Sequence, residues 1–438
     1  MHVDQILHAS WVIPIEGDVG SLADHCVVIA GDRIVDVLPS STARETLSAN
    51  VEFDLAGHAL IPGLINCHTH AAMSLFRGLA DDRELTDWLE NAIWPAEAKH
   101  VDRQFVHDGT LLAAAEMLRS GTTCFNDMYF FPDETAAAAI EAGIRAAVGM
   151  IVIGFPSAWA SNVNEYLNSG QRVHDQYRSH PSIHTTFAPH APYTVDAETL
   201  QRIATLAEEL DVPIQMHIHE TKHEVQQSIA DHGMRPLAML EPLGLMSHRL
   251  MAIHMTQLTD EEITDVARSG VSVVHCPESN LKLASGFCPV AALLEHGANI
   301  ALGTDGASSN NDLDMLGEIR TTALLAKGVT GDATAVPAID ALRMATINGA
   351  RALGMEAELG SLKRGKAADI TAIDLSGIGA APLYDPISQI VYAGHRDQVT
   401  NVWVGGRRVL ADSELINIDE TALIHSAEQW RTKISRTR

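Results

Sequence analysis

The sequence predicts an α/β protein, a TIM-type (β/α)8 barrel carrying a small β-sandwich domain built from both chain ends. Three observations carry that expectation. Eight short apolar runs alternate with amphipathic stretches through the middle of the chain, the order of a parallel sheet with helical crossovers. The units span about 250 residues, the size of such a barrel. Segments that read as β-hairpins occur before and after this region and not within it.

Near the N-terminus, "HCVVIAGDRIVDVL" sets Gly31 and Asp32 between two apolar stretches, a hairpin signature. Towards the C-terminus, "ADITAIDL" and "VTNVWVGGRRVL" read alike, with Gly405 and Gly406 at a tight turn. The expected division is a first sandwich part over residues 1–58, the barrel over 59–358, and a second sandwich part with a C-terminal helix over 359–438. The candidate barrel strands are "HALIPGLI", "TTCFND", "RAAVGMIVI", "SIHTTFAP", "VPIQMH", "LMAIHM", "VSVVHCP" and "NIALGTD". Helices between them are well signalled: "TDEEITDVARSG" opens on Thr259, has Glu262 three residues on as a capping box, and stops at Gly270. A doubly wound open sheet competes, but no G-x-G-x-x-G follows the first strand.

A chain of 438 residues with 46% hydrophobic content can bury one large core and a smaller one. Its formal charge of -26 argues against nucleic acid or an anionic membrane as partner, since either needs a basic footprint. No apolar run is long enough to span a bilayer. Five scattered cysteines without a C-x-x-C pair exclude a disulfide framework, and the opening residues lack a secretory pattern. A cytoplasmic homo-oligomer acting on a small molecule is the expectation.

Once the strands are written down, the unusual residues fall in one place. His68 and His70 follow the first strand, His190 the fourth, and Asp305 the eighth, while His217 and His254 end the fifth and sixth. Among 22 histidines, any one alone reads as a hydrogen-bonded or surface residue. In a closed barrel, however, strand ends converge on the rim where such enzymes place their chemistry. Burying six polar groups there would be costly without a common purpose. Three neutral imidazoles and one carboxylate suit a borderline divalent ion and leave room for water, with Zn2+ the first guess and Fe2+ the second. Strand four, "SIHTTFAPHAPY", has no lysine to bridge two ions, so one metal per chain is expected.

His68-x-His70, "HIHE" from His217 to Glu220, His254 and "GTDG" around Asp305 resemble the single-metal deaminase branch of the amidohydrolase superfamily. The likeness spans nearly the whole chain, including "ATINGARALG" and "GSLKRGKAADITAIDL". More narrowly, "HTHAAMSLFRGLADD", "PHAPYTV", "CPESNLKLASG" and "TDGASSNNDLDM" resemble the 5'-methylthioadenosine/S-adenosylhomocysteine deaminases, relatives of the triazine chlorohydrolases. The resemblance implies His68, His70, His217 and Asp305 as metal ligands. It also implies that Glu220 protonates N1 of an adenine ring, that Asp305 relays the water's proton to departing ammonia, and that His254 orients the hydroxide. For substrate it implies a purine contact by His190, a ribose contact by Glu97, and Trp88 as a pocket wall beside Glu220.

By residue pattern alone, Trp88 in "LTDWLENAIW" suits core packing as well as a pocket, and Glu97 suits a solvated helix face. His219, at the end of the strand, is expected to point away from the face used by His217. His232, His248 and His296 read as exposed, and His275 ends a strand without an assigned partner. Leu75, Phe76, Phe155 and Trp159 are expected to form an apolar rim. Residues 153–171 lack the arginine some members carry, which tilts the expectation toward methylthioadenosine over S-adenosylhomocysteine. The competing readings are a guanine-type or pterin deaminase or a triazine chlorohydrolase on the same site, and a catalytically silent metal scaffold. Glu220, which a structural metal site would not require, speaks against the scaffold.

Overall fold

A computed structural model describes residues 2–436. Eight parallel strands follow one another in chain order around a nearly closed barrel: Leu64–Thr69, Thr122–Asp127, Arg145–Val152, Ile183–Pro189, Ile214–Ile218, Leu250–His254, Ser272–His275 and Asn299–Leu302. Most of their residues are buried on both faces, which is why the sequence reads there as continuous apolar runs. Seven strands sit where the sequence puts them.

The first does not, and the reason is local. "HALIPGLI" is split between two sheets: its first five residues, His58 to Pro62, end a long strand, Ser48–Pro62, of the other sheet, and the barrel strand starts at Leu64. Pro62 has no N–H to donate onward, and Gly63 passes so close to Thr123 that a Cβ would lie 2.1 Å from its hydroxyl. The chain changes sheets at that pair. His68 is therefore inside the first barrel strand, and only His70 follows it.

The last strand meets the first through an irregular seam. The Asp305 N–H donates to the His68 carbonyl at 3.0 Å, and Asn66 exchanges bonds with Thr304 at 2.7 and 3.1 Å. Gly303 is required at this approach, because a Cβ there would sit 2.7 Å from the His68 nitrogen. Below the rim the barrel is filled by Ile65, Cys67, Cys124, Met251, Ile253 and Val274.

The other sheet also has eight strands and joins the two chain ends. Its N-terminal strands, His2–Val12, Leu22–Ala30, Arg33–Pro39 and Ser48–Pro62, continue into Ile370–Asp374, Val399–Val404, Arg407–Ala411 and Glu414–Leu415. Both halves bury side chains in one core that includes Leu7, Ile29, Leu60, Ile370 and Trp403. Gly405 and Gly406 take left-handed conformations, φ +54° and +71°, at the turn read from sequence. The Asp260–Ser269 helix has the expected capping box at Thr259 and Glu262, and ends at Gly270. Barrel and sheet are tied by a buried ion pair: Arg145 donates to both carboxylate oxygens of Asp369, at 2.7 and 3.1 Å. Among the described residues no helix is long and apolar enough to cross a membrane.

Candidate active site

Alternation along the fifth barrel strand turns Gln215 and His217 to the same interior face. The Gln215 amide donates to Asn126, to the Asp127 carbonyl and to Thr186, at 2.8 to 3.1 Å, which aims its carbonyl at His68 Nδ1, 3.3 Å away. His68 Nε2, on the other side of the ring, lies 3.1 Å from His217 Nε2 and 3.5 Å from Asp305 Oδ1. His70, on the turn after the strand, donates from Nδ1 to the Met128 carbonyl at 2.6 Å and points Nε2 at the same Oδ1, 3.3 Å away. Imidazoles whose second nitrogen is tied in this way are oriented as ligands are.

Asp305 and His254 hold left-handed backbone conformations, φ +62° and +74°, at positions that are neither glycine nor asparagine. Strain of this kind is tolerated where surrounding contacts impose it. His254 is anchored through Nδ1 to Asn280 Oδ1 at 2.9 Å, and its Nε2 lies 3.8 Å from Glu220 Oε2. Glu220 and the preceding residue are themselves clasped: their backbone N–H groups donate to the Glu224 carboxylate at 2.6 and 3.0 Å.

Two overlapping groups have ligand atoms within 4.8 Å of one another: His68, His217 and His254, and His68, His70 and Asp305. The four residues the resemblance implies as ligands are thus together, and His254 joins them. Their electrostatics fit a cation. Burial holds His68 down to about 4 and His190 to about 3, and pushes His217 well down and His254 down, so these imidazoles are neutral. At His70, burial opposes charge, but the Asp305 carboxylate and the Met128 carbonyl prevail and raise it to about 9. In return His68 and His70 hold Asp305 well below the usual range despite its burial. Positive charge is favoured between these groups.

The cavity above them is walled by Trp88, Leu85, Leu89, Trp94 and Phe155, and also reaches His190, Glu97 and Glu220. Trp88 serves both readings given to it, packing into an apolar cluster while facing the cavity. Glu97 is half-buried instead of solvated; burial raises it to about 7, against the Tyr129 hydroxyl that donates to it at 2.7 Å. Burial, then the negative charge of Asp305, raise Glu220 to about 8. His190 is half-buried, with Nδ1 3.1 Å from the Thr194 hydroxyl.

The expected apolar rim needs correction. Only Phe155 of the four lines the cavity; Phe76 packs on Phe105, Trp159 on Phe131, and Leu75 beside them in the same cluster. Ring-on-ring packing beneath the rim offers these side chains more buried contact than the cavity does. His219 points away from the cavity, though not through alternation, which would turn it the same way as His217: the strand stops at Ile218, His219 takes a left-handed φ of +53°, and its Nε2 accepts from the Leu237 N–H at 3.3 Å. His232, His248 and His296 are exposed. His275 is buried, with no hydrogen-bond partner at Nδ1. Sequence reasoning missed Gln215, Tyr129, Ser279 and Asn280. Only Gln215 carried a signal, its strand parity with His217.

The model of the amidohydrolase family matches residues 59–409. A 5-methylthioadenosine/S-adenosylhomocysteine deaminase of Saccharophagus degradans is 49% identical over 436 residues, covering 99% of this chain and 98% of its own. A 5'-deoxyadenosine deaminase of Methanothermobacter thermautotrophicus is 42% identical over 413 residues, covering 94% and 95%. Among solved structures, an adenosine deaminase of Xanthomonas campestris with bound zinc superposes with a TM-score of 0.98 at 51% identity, covering 100% of this chain and 99% of that one.

Proposed function

Because this chain belongs to the amidohydrolase family, we propose that it replaces the 6-amino group of an adenine nucleoside by oxygen, releasing ammonia, with 5'-methylthioadenosine as the preferred substrate. It is a metal-dependent hydrolase acting on C–N bonds of cyclic amidines. In this reading His68, His70, His217 and Asp305 hold one divalent ion, Zn2+ before Fe2+, a choice the zinc in the Xanthomonas campestris relative supports. When bound, such an ion lowers the pKa of a water to ≈ 7 and so makes a nucleophile available at neutral pH.

The observation that carries the reading is Glu220, a buried carboxyl raised to about 8 beside His254 and Asp305 in a cavity wide enough to be walled by two tryptophans. Being protonated at neutral pH, it can give its proton to N1 of the ring, which makes C6 more electrophilic. Asp305 accepts the proton of the attacking water and passes it to the amino group as that group leaves. His254, its Nδ1 tied to Asn280, presents Nε2 to orient the water. His190 contacts the purine and Glu97 accepts from the ribose hydroxyls. The lining residues include no lysine or arginine, which supports a neutral nucleoside over a nucleotide and leaves an amino-acid carboxylate without a cationic partner.

The test is ammonia release from methylthioadenosine, S-adenosylhomocysteine, adenosine, adenosine monophosphate, guanine and 8-oxoguanine under identical conditions. Methylthioadenosine should have the highest kcat/KM and adenosine monophosphate a poor one. A free base or a nucleotide as best substrate would overturn the reading of the pocket.

A further inference from the structure

Two stretches, Cys276 to Asn280 and Gly306 to Asn310, carry serines to which no role has been given so far. They meet at Asp305. Ser279 Oγ donates to Asp305 Oδ2 at 2.7 Å, and Ser309 Oγ lies 2.8 Å from the same oxygen. All three residues are at most 5% exposed, so water does not compete. The other oxygen, Oδ1, accepts the Gly306 N–H at 2.8 Å and faces the Nε2 atoms of His68 and His70.

We propose that Ser279 and Ser309 are positioning residues that clamp Asp305 by Oδ2, so that Oδ1 alone is presented to the histidines, and that Asn280 orients His254 from the same turn. The inference rests on the reading of Asp305 as metal ligand and proton acceptor. An unclamped carboxylate on a strained left-handed residue could rotate and offer either oxygen, or both. A single hydroxyl proton serves one acceptor, and the two serines differ in this. Ser309 Oγ also lies 3.0 Å from the Gly306 carbonyl, whereas among the described residues Ser279 Oγ has Asp305 alone as acceptor. Ser279 is the firmer half of the clamp. It sits on the helix Pro277–Lys282, whose first turn is closed by the Asn280 N–H donating to the Cys276 carbonyl at 3.0 Å. Consecutive side chains on a helix diverge by about 100°. One rigid turn can thus reach Asp305 with Ser279 and His254 with Asn280, fixing both proton-handling groups against each other.

Ser308 supplies the control: it is equally buried and adjacent to Ser309, but its hydroxyl reaches only the Met73 sulfur at 3.7 Å. The experiment measures zinc affinity of the folded protein by competition with a chelating indicator, and kcat and KM with methylthioadenosine, for S279A, S309A, S279A/S309A and S308A. Removing a group that orients a ligand typically costs 10–100-fold in metal affinity or activity. S279A should lose about that much in kcat and in zinc affinity while KM stays within about threefold, S309A less, the double variant most, and S308A neither. Wild-type zinc affinity and kcat in the double variant would overturn the clamp, as would equal losses in S308A. If S279A does not fold, S309A carries the same readouts. Should the wild-type chain deaminate no nucleoside, the functional reading fails, and the zinc competition alone still decides the clamp.

Discussion

Glu220 has the surroundings of an acid. Burial and the neighbouring Asp305 charge raise it to about 8, so at pH 7 it carries a proton, which in the proposed reaction goes to N1 of the adenine ring. Glu220→Gln keeps the shape but has no proton to give; turnover should fall at least 10²-fold with metal content unchanged, measured by ammonia release and elemental analysis. Near-normal turnover would put the proton shuttle elsewhere. The pH dependence has a definite sign. A carboxyl raised to about 8 is neutral below that pH and ionised above it, so kcat/KM should hold through neutrality and decline on the alkaline side as pH rises through about 8. A profile still rising at pH 9 would contradict Glu220 as donor.

At the level of elements, the seam between the last and first barrel strands brings Asp305 to His68. No regular ladder closes it; the Asp305 N–H to His68 carbonyl bond and the Asn66–Thr304 pair do. Gly303 lets the strands come this close. In Gly303→Ala the new Cβ would meet the His68 backbone at 2.7 to 2.9 Å, and backbone there cannot swing aside as a flexible side-chain end would. Overpacking of this kind costs about 1–3 kcal/mol, and since it falls between two candidate ligands the variant should lose metal affinity as well as stability. Urea unfolding with metal analysis checks this. A variant of wild-type stability and metal content would mean that the seam is more pliant than its contacts indicate.

Across the whole molecule, two features couple distant parts. The metal group draws on strands one, five and eight, so an ion bound there favours the closed barrel over the unfolded chain. Stripped protein should bind about one equivalent per chain on reconstitution, and at an ion concentration ~1,000 times Kd should regain about 4 kcal/mol of stability together with its activity. Two tightly held ions, or full activity without metal, would refute the single-ion reading. The second feature is the Arg145–Asp369 pair joining barrel to sheet. Asp369 also accepts the Gly405 N–H at 2.7 Å, and Arg145 also donates to the Pro181 carbonyl at 2.8 Å. Asp369→Ala would leave a buried guanidinium without its counter-charge, at a cost of about 3–5 kcal/mol in chemical denaturation. Since neither residue lines the cavity, kcat of the folded fraction should be unchanged.

What the sequence determined by itself is what short-range physics writes into it. Continuous apolar runs mark strands buried on both faces, Thr259 and Glu262 mark a helix start, and Gly405 and Gly406 mark a turn that needs positive φ. Polar residues at strand ends identified the rim because a parallel barrel brings all such ends together. The tertiary structure decided what depends on partners far along the chain. Pro62 and Gly63 hand the chain from one sheet to the other, a switch invisible in a run that is apolar throughout. Phe76 and Trp159 turned to Phe105 and Phe131, while Leu85, Leu89 and Trp94 became the cavity wall, because an apolar side chain in a loop goes wherever the most complementary surface is. Ser279, Asn280 and Tyr129 bear no periodic signal at all: a hydroxyl or amide acquires its role only when folding sets a particular carboxylate or imidazole within about 3 Å of it.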